Sequence, residues 1–214
     1  DGHHRYEAAL RYRSDDPNSK DEANNFVMMA LVEFDDPGLQ LLPYHRGIGN
    51  LSSTSLEKIR DELGNLFDTK LFDLSAKGVD ILTKEIAELG KSQHVVGVIG
   101  PGADHAEILI LKKNIDWRQW GTLAVSEAWV LEEKILKPIL GNDAAKQVDY
   151  SHDPQGLRDR IDHKDLQIAF VLKPFPINAF EEIVGGGQRL PSKSTFFYPK
   201  LPTGLVIHRL EGLI

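Results

Sequence analysis

The chain has no cysteine among its 214 residues. Disulfides, thiolate metal sites and cysteine nucleophiles are therefore excluded for it. It has no apolar run near the roughly 20 residues of a membrane helix; the longest, at 27–34 and 108–111, are of strand length. It also lacks a cationic surplus: 25 Lys and Arg stand against 32 Asp and Glu, for a formal net charge of -7. Sequence-independent nucleic-acid binding needs the opposite balance, so no nucleic-acid partner and no membrane partner are expected. It does not open on Met but on Asp1-Gly2-His3-His4-Arg5. The expectation is a later part of a longer, soluble, cytoplasmic protein.

What is there is the composition of an ordinary globular protein, with 41% hydrophobic and 27% charged residues. The length suits a single unit over 1–214 with a sizeable core. Tyr6, Ala9, Leu10 and Arg13 follow helical spacing, and 14–24 is polar and reads as a loop. A strand is predicted over 25–34, a turn at Asp35-Asp36-Pro37-Gly38, and a second strand over 39–42 that would close a hairpin. Helices are predicted over 52–67, 77–89 and 125–140, the last two stopped by Gly90 and Gly141. A short strand falls at 70–74, and a hairpin is predicted from 94–99 and 106–111 around Gly100-Pro101-Gly102. Asp153 and Pro154 form the start of a further helix. An apolar strand follows at 166–172, then a brief helix from Pro176 to Val184. The tail from 196 to 210 is read as extended, with Leu205, Val206 and Ile207 in a last strand. Helices and strands alternate irregularly, so the predicted class is α+β, mixed sheets with packed helices, with α/β second.

Three segments carry chemistry. Gly2 ahead of a helix lets backbone N–H groups approach an anion, and the helix start favours negative charge. Arg5 is suited to grip a phosphate bidentately, and His3 or His4 to serve as acid or base. The plainer alternative is that Asp1 caps the helix and the rings bond nearby carbonyls. The second segment is Pro43-Tyr44-His45-Arg46 before Gly47 and Gly49. A His-Arg pair leaving a strand into a glycine loop is placed as ligand contacts are in open sheets; an exposed polar hairpin end is the alternative.

The third runs from Gly185 to Lys200. From Gly187 it nearly spells a phosphate-binding loop, with Ser192 in place of the second Gly. The context differs, because a helix precedes it, Pro191 removes an N–H, and the sequence after it is extended. What remains is a set of cations and hydroxyls: Arg189, Lys193, Ser194, Thr195 and Lys200. Its alternative is a solvated basic loop. No metal set is assigned, since Asp149, His152 and Asp153 read as turn and cap residues. Trp117, Trp120 and Trp129 read as packing aromatics.

Asp1-Gly2-His3-His4-Arg5-Tyr6-Glu7-Ala8-Ala9, Leu42-Pro43-Tyr44-His45-Arg46 and Pro191-Ser192-Lys193-Ser194-Thr195-Phe196-Phe197-Tyr198-Pro199-Lys200-Leu201 resemble the signatures of an uncharacterised prokaryotic family. That family is catalogued as domain of unknown function 1015. Gly204-Leu205-Val206 also fits, and the resemblance spans essentially the whole chain. It implies that members extend upstream of Asp1, making this the C-terminal part. The opening segment is similar, more remotely, to the phosphate-contacting strand–helix junction of the ParB/sulfiredoxin-like superfamily, whose members include nucleotide hydrolases, partition proteins and kinases acting on free serine. Sulfiredoxin chemistry needs a cysteine, and partition-type DNA binding runs against the acidic balance.

The resemblance thus implies nucleotide-dependent phosphotransfer to a small metabolite such as a free amino acid. Arg5 would sit on phosphate, His3 or His4 near the transferred group, and Glu7 would be a base. ATP or ADP with Mg²⁺ is the implied cofactor, and a nucleotide or small molecule the implied partner. The residues leave Gly2, Arg5, His45, Arg46, Lys193, Ser194, Thr195 and Lys200 as candidate phosphate contacts. A noncatalytic module that senses a phosphorylated metabolite is the competing reading.

Overall fold

Helix α1 (His3–Asp15) forms where the Tyr6, Ala9, Leu10, Arg13 spacing predicts it, yet it buries none of its residues. The computed structural model describes residues 2–15, 21–100, 104–141, 144–191 and 193–211. Asp1, Pro17, Pro101, Gly102 and Ser192, which entered the readings above, lie outside these. The chain divides into two compact units, a smaller one of 1–40 with 197–214 and a larger one of 41–196.

In the smaller unit α1 is followed by a 3₁₀ turn (Glu22–Asn25), whose Ala23 carbonyl accepts from or faces His208 Nε2 at 2.9 Å. The turn at Asp36 forms as predicted, with Gly38 N donating to Asp36 Oδ1 at 2.7 Å. Two predicted strands do not form. Phe26, Val27, Met28, Met29, Leu31, Val32 and Phe34 are exposed in irregular backbone, and so are Leu205, Val206 and Ile207. β-propensity marks residues that fit a sheet, but a strand exists only where a neighbour takes its N–H and C=O groups. Among the described residues neither segment joins a sheet.

Strand β1 (Gln40–Pro43) opens one residue ahead of the larger unit, and β2 (His45–Ile48) follows after one residue. The predicted partner of β1 was 25–34; its partner is instead β8 (Thr195–Tyr198), in a two-stranded sheet. Helix α2 (Ser53–Leu66) is capped by Ser52, whose hydroxyl accepts from Ser55 N, and it buries Ile59 and Leu63 one turn apart. It runs straight into β3 (Phe67–Asp73), longer than the strand expected at 70–74. The predicted 77–89 helix is α4 (Val79–Leu89), and Gly78, at φ +77°, separates it from an unpredicted short helix α3 (Leu74–Lys77). The predicted hairpin is β4 (Val95–Ile99) with β5 (His105–Leu111). The 125–140 helix appears as α5 (Glu127–Val130), a π-helical stretch (Leu131–Leu136) and α6 (Lys137–Leu140), ended by Gly141 at φ +82°. Strand β6 (Val148–Ser151), helix α7 (Pro154–Asp162), strand β7 (Ile168–Leu172) and helix α8 (Ile177–Gly185) complete the unit.

Six strands form one open sheet in the order β3-β5-β4-β7-β2-β6, antiparallel at every junction. The α+β expectation therefore holds, because no parallel βαβ unit builds this sheet. Helices cover both faces. On one, Ile48, Val96, Leu109, Ile168 and Phe170 pack with Ile59 and Leu63 of α2 and with Leu131 and Ile135. On the other, Val95, Ile99, Ala169 and Val171 pack with Leu82 and Ile86 of α4 and Leu157 and Ile161 of α7. Strand β7 is buried at all five positions, which is why it reads as an unbroken apolar run.

Candidate functional site

His45 and Arg46 open β2, next to the edge of the six-stranded sheet, paired to β6 on one side and β7 on the other. Alternation sends the two side chains to opposite faces. Both are buried, Arg46 to 1% exposure. This corrects the expectation of a polar pair leaving a strand end into a loop: the pair lies inside a central strand. Gly47 and Gly49 also serve packing. A Cβ at Gly47 would lie 2.5 Å from Leu166 Cδ1, and one at Gly49 2.4 Å from the Asp165 carbonyl oxygen.

His45 Nδ1 accepts a hydrogen bond from Leu172 N at 3.0 Å. Burial, with the Arg46 charge beside it and His152 adding to it, pushes its pKa from the usual 6.5 down to about 4, against a smaller opposing pull from Asp153. His45 is thus a neutral acceptor near pH 7. Arg46 donates from Nη1 to Tyr44 O at 2.8 Å and from Nη2 to Lys193 O at 3.5 Å, and its guanidinium lies 5.4 Å from the Tyr150 ring centre. Burial lowers its pKa, while Tyr150 and Glu132 pull the other way.

The second and third predicted segments therefore meet in the larger unit. Lys193 takes a left-handed backbone, φ +57°, and its Nζ sits 5.0 Å over the Tyr44 ring. Ser194 is buried and donates to Pro191 O at 2.7 Å, so its hydroxyl is committed to the loop. Thr195 opens β8 and is half-buried. Phe196 stacks on His152 at 4.9 Å and meets Tyr44 edge-on at 5.4 Å. Of the carboxylates nearby, Asp153 caps α7 by accepting from Gln155 N, and Asp149 pairs with Arg160 at 2.6 Å.

Gly2, His3, His4, Arg5, Glu7 and Lys200 belong to the smaller unit. Gly2 has φ +93°, and a Cβ there would meet Arg5 Nη2 at 2.9 Å, so the Arg5 fork folds back over the helix start. The His3 and His4 rings are 4.0 Å apart, and His4 Nδ1 is 3.7 Å from Glu7 Oε2 on the exposed surface.

A further cluster in the larger unit escaped the sequence reading. His94 and Glu127 are buried and the half-buried Lys173 joins them, with His94 Nδ1 and Lys173 Nζ each 3.0 Å from Glu127 Oε1. These are ion-pair distances without hydrogen-bond alignment, for neither His94 Nδ1 nor Glu127 Oε1 has an aligned partner. Trp117 covers His94 edge-on at 4.6 Å. The cue in the sequence is a polar residue at the rim of each apolar strand, His94 before β4 and Lys173 after β7. Such residues usually face water.

The architecture defines an α+β protein with an antiparallel sheet and a donor-rich strand–loop cluster. Residues 1–136 match the family described as "Protein of unknown function (DUF1015)", and the chain belongs to that family. No curated protein matches it. Among solved structures, a conserved hypothetical protein from Pyrococcus furiosus is similar over 81% of this chain and 62% of its own, at 15% identity and TM-score 0.49. A free serine kinase in complex with AMP is similar over 78% and 57%, at 11% identity and TM-score 0.48. A variant free serine kinase in complex with ADP is similar over the same shares, at 12% identity and TM-score 0.46. The chain spans about three fifths of the length of these structures. Likeness at this level carries no argument about activity. Among the described residues, no helix is long and apolar enough to cross a membrane.

Proposed function

We propose that this protein is a nucleotide- or phosphate-binding enzyme that transfers a phosphoryl group to a small metabolite such as a free amino acid. The supporting observation is the meeting of Arg46 with Lys193, 147 positions apart in sequence, which gathers two positive charges at one loop. That charge, with the exposed Lys193 ammonium as donor, suits a phosphate. In the smaller unit, Arg5 folded over Gly2 offers a second set of donors of the same chemistry.

In the proposed reaction the terminal P–O bond of ATP breaks and a P–O bond forms to the acceptor hydroxyl. ADP leaves, and the hydroxyl proton passes to a base, for which Glu7, His3 or His4 is suited by chemistry. Mg²⁺ would accompany the nucleotide phosphates, as it keeps several waters and takes one or two protein carboxylates.

The test is a thermal shift of the full-length protein with ATP or ADP and Mg²⁺, followed by a search for ADP release and a phosphorylated product. Turnover that disappears on Arg5→Ala supports the enzyme. A shift without turnover supports the noncatalytic sensor instead. No shift with either nucleotide counts against both.

A further inference from the structure

We propose that Lys193 is the phosphate-contacting residue of the larger unit and that Arg46 is a positioning residue beneath it, not a phosphate ligand. This rests on the phosphate-binding reading above and divides roles within that site. Arg46 is one of the most deeply buried large side chains, and no carboxylate lies within ion-pair range of it among the described residues. A buried cation without a counter-ion is costly unless other groups hold it. Here the Tyr44 and Lys193 carbonyls and the face of Tyr150 do so. To reach a phosphate, Arg46 would have to give up those partners.

The same contacts fix what lies above. One guanidinium holds the backbone of Tyr44 and, at longer range, of Lys193, the two residues whose side chains then meet as ammonium over ring at 5.0 Å. The buried Ser194 hydroxyl pins the loop from its other side through Pro191 O. Lys193 is exposed, holds its left-handed backbone between these two pins, and presents three donors on a compact charge. Its positive charge adds to that of Arg46 below it, while His45 on the opposite face contributes none near pH 7. Of the opposing charges, Glu132 acts on Arg46 at longer range and lies 3.7 Å from Lys137, while Asp153, which caps α7, acts on His45.

The experiment titrates ADP, and separately inorganic phosphate, into the full-length protein and its variants by calorimetry. It is paired with NMR of ¹³C-dimethylated lysines, in which Lys193 is assigned by its absence in Lys193→Ala and is shifted by the Tyr44 ring current. Lys193→Ala should weaken both probes about tenfold or more, and Lys193→Arg should restore most of the affinity. Arg46→Lys should weaken binding and move the Lys193 resonance together. If Arg46→Lys does not fold, Ser194→Ala reads the same positioning from the other pin.

Wild-type binding with Lys193→Ala within twofold overturns the Lys193 assignment and leaves the proposed function standing. Weakened binding in Arg46→Lys with an unmoved Lys193 resonance makes Arg46 a direct ligand and overturns the positioning role. An Arg46→Lys variant that changes neither readout also overturns it. Failure of the wild type to bind either probe overturns the phosphate-binding reading itself.

Discussion

Lys173 Nζ lies 3.0 Å from Glu127 Oε1 with both side chains almost out of water, and the same ammonium donates to Gly90 O at 2.6 Å. This one contact joins the end of β7, the start of α5 and the residue that ends α4. Replacing Lys173 by Met leaves a buried carboxylate facing His94 alone among the described residues. The expected cost is about 3–5 kcal/mol, the usual penalty for breaking one side of a buried pair. The double variant Lys173→Met, Glu127→Gln should lose less than the single one. Urea unfolding checks both, and a single-variant cost below about 1 kcal/mol would show that water already reaches the carboxylate.

His45 sets a pH dependence with a definite sign. Its folded pKa, about 4, lies below its ordinary 6.5, so the unfolded chain binds the proton more readily. Its stabilising contribution is fully present above pH 6.5 and is lost as the pH falls from 6.5 through 4. The linkage amounts to about 3 kcal/mol. His45→Asn keeps a short acceptor for Leu172 N and does not titrate. Compared by denaturation between pH 7 and 4, the wild type should lose stability relative to the variant as the pH falls; parallel curves would refute the shift.

Gly49 is held to glycine by contact, since an added Cβ would fall 2.4 Å from a backbone oxygen, which cannot turn away as a side chain can. Gly49→Ala should destabilise by about 1–3 kcal/mol. It should leave phosphate binding per folded molecule unchanged, because the glycine makes room for the 165 backbone and not for a ligand. A melting curve with a parallel ADP titration separates the two effects.

Amide exchange should differ sharply between two apolar segments of the chain. Strand β7, buried on both faces and hydrogen-bonded to β4 and β2, should exchange only on global opening. The irregular, exposed segment 26–34 should exchange orders of magnitude faster. Comparable protection in the two would show that 26–34 does find a strand partner in solution.

The contrast between those two segments also marks where sequence pattern suffices. Val79, Leu82 and Ile86 at helical spacing, Ser52 and Asp153 at helix starts, and the β4–β5 hairpin were all legible, because each depends on residues close in sequence. Phe26 to Phe34 carries as strong an apolar signal as Ile168 to Leu172. Among the described residues only the second has strand neighbours on both sides, and pattern alone holds no information about neighbours. The candidate site divides the same way. Arg46 and Lys193 were picked out as cations near hydroxyls and glycines, but burial reassigns Arg46 to backbone carbonyls and Gly47 to Leu166.

By itself, then, the sequence determined a cysteine-free α+β chain with a net acidic charge, its larger helices, and the ordered motifs of its family. Those properties are local or additive along the chain. Tertiary structure decided the sheet order, the burial of His45 and Arg46, and the approach of the 193 loop to the 44–46 strand. It also made the His94–Glu127–Lys173 cluster, whose members stand 33 and 46 positions apart and show no common pattern. Each of these depends on which distant segments exclude water from one another, and that is settled only when the sheet closes its pairings.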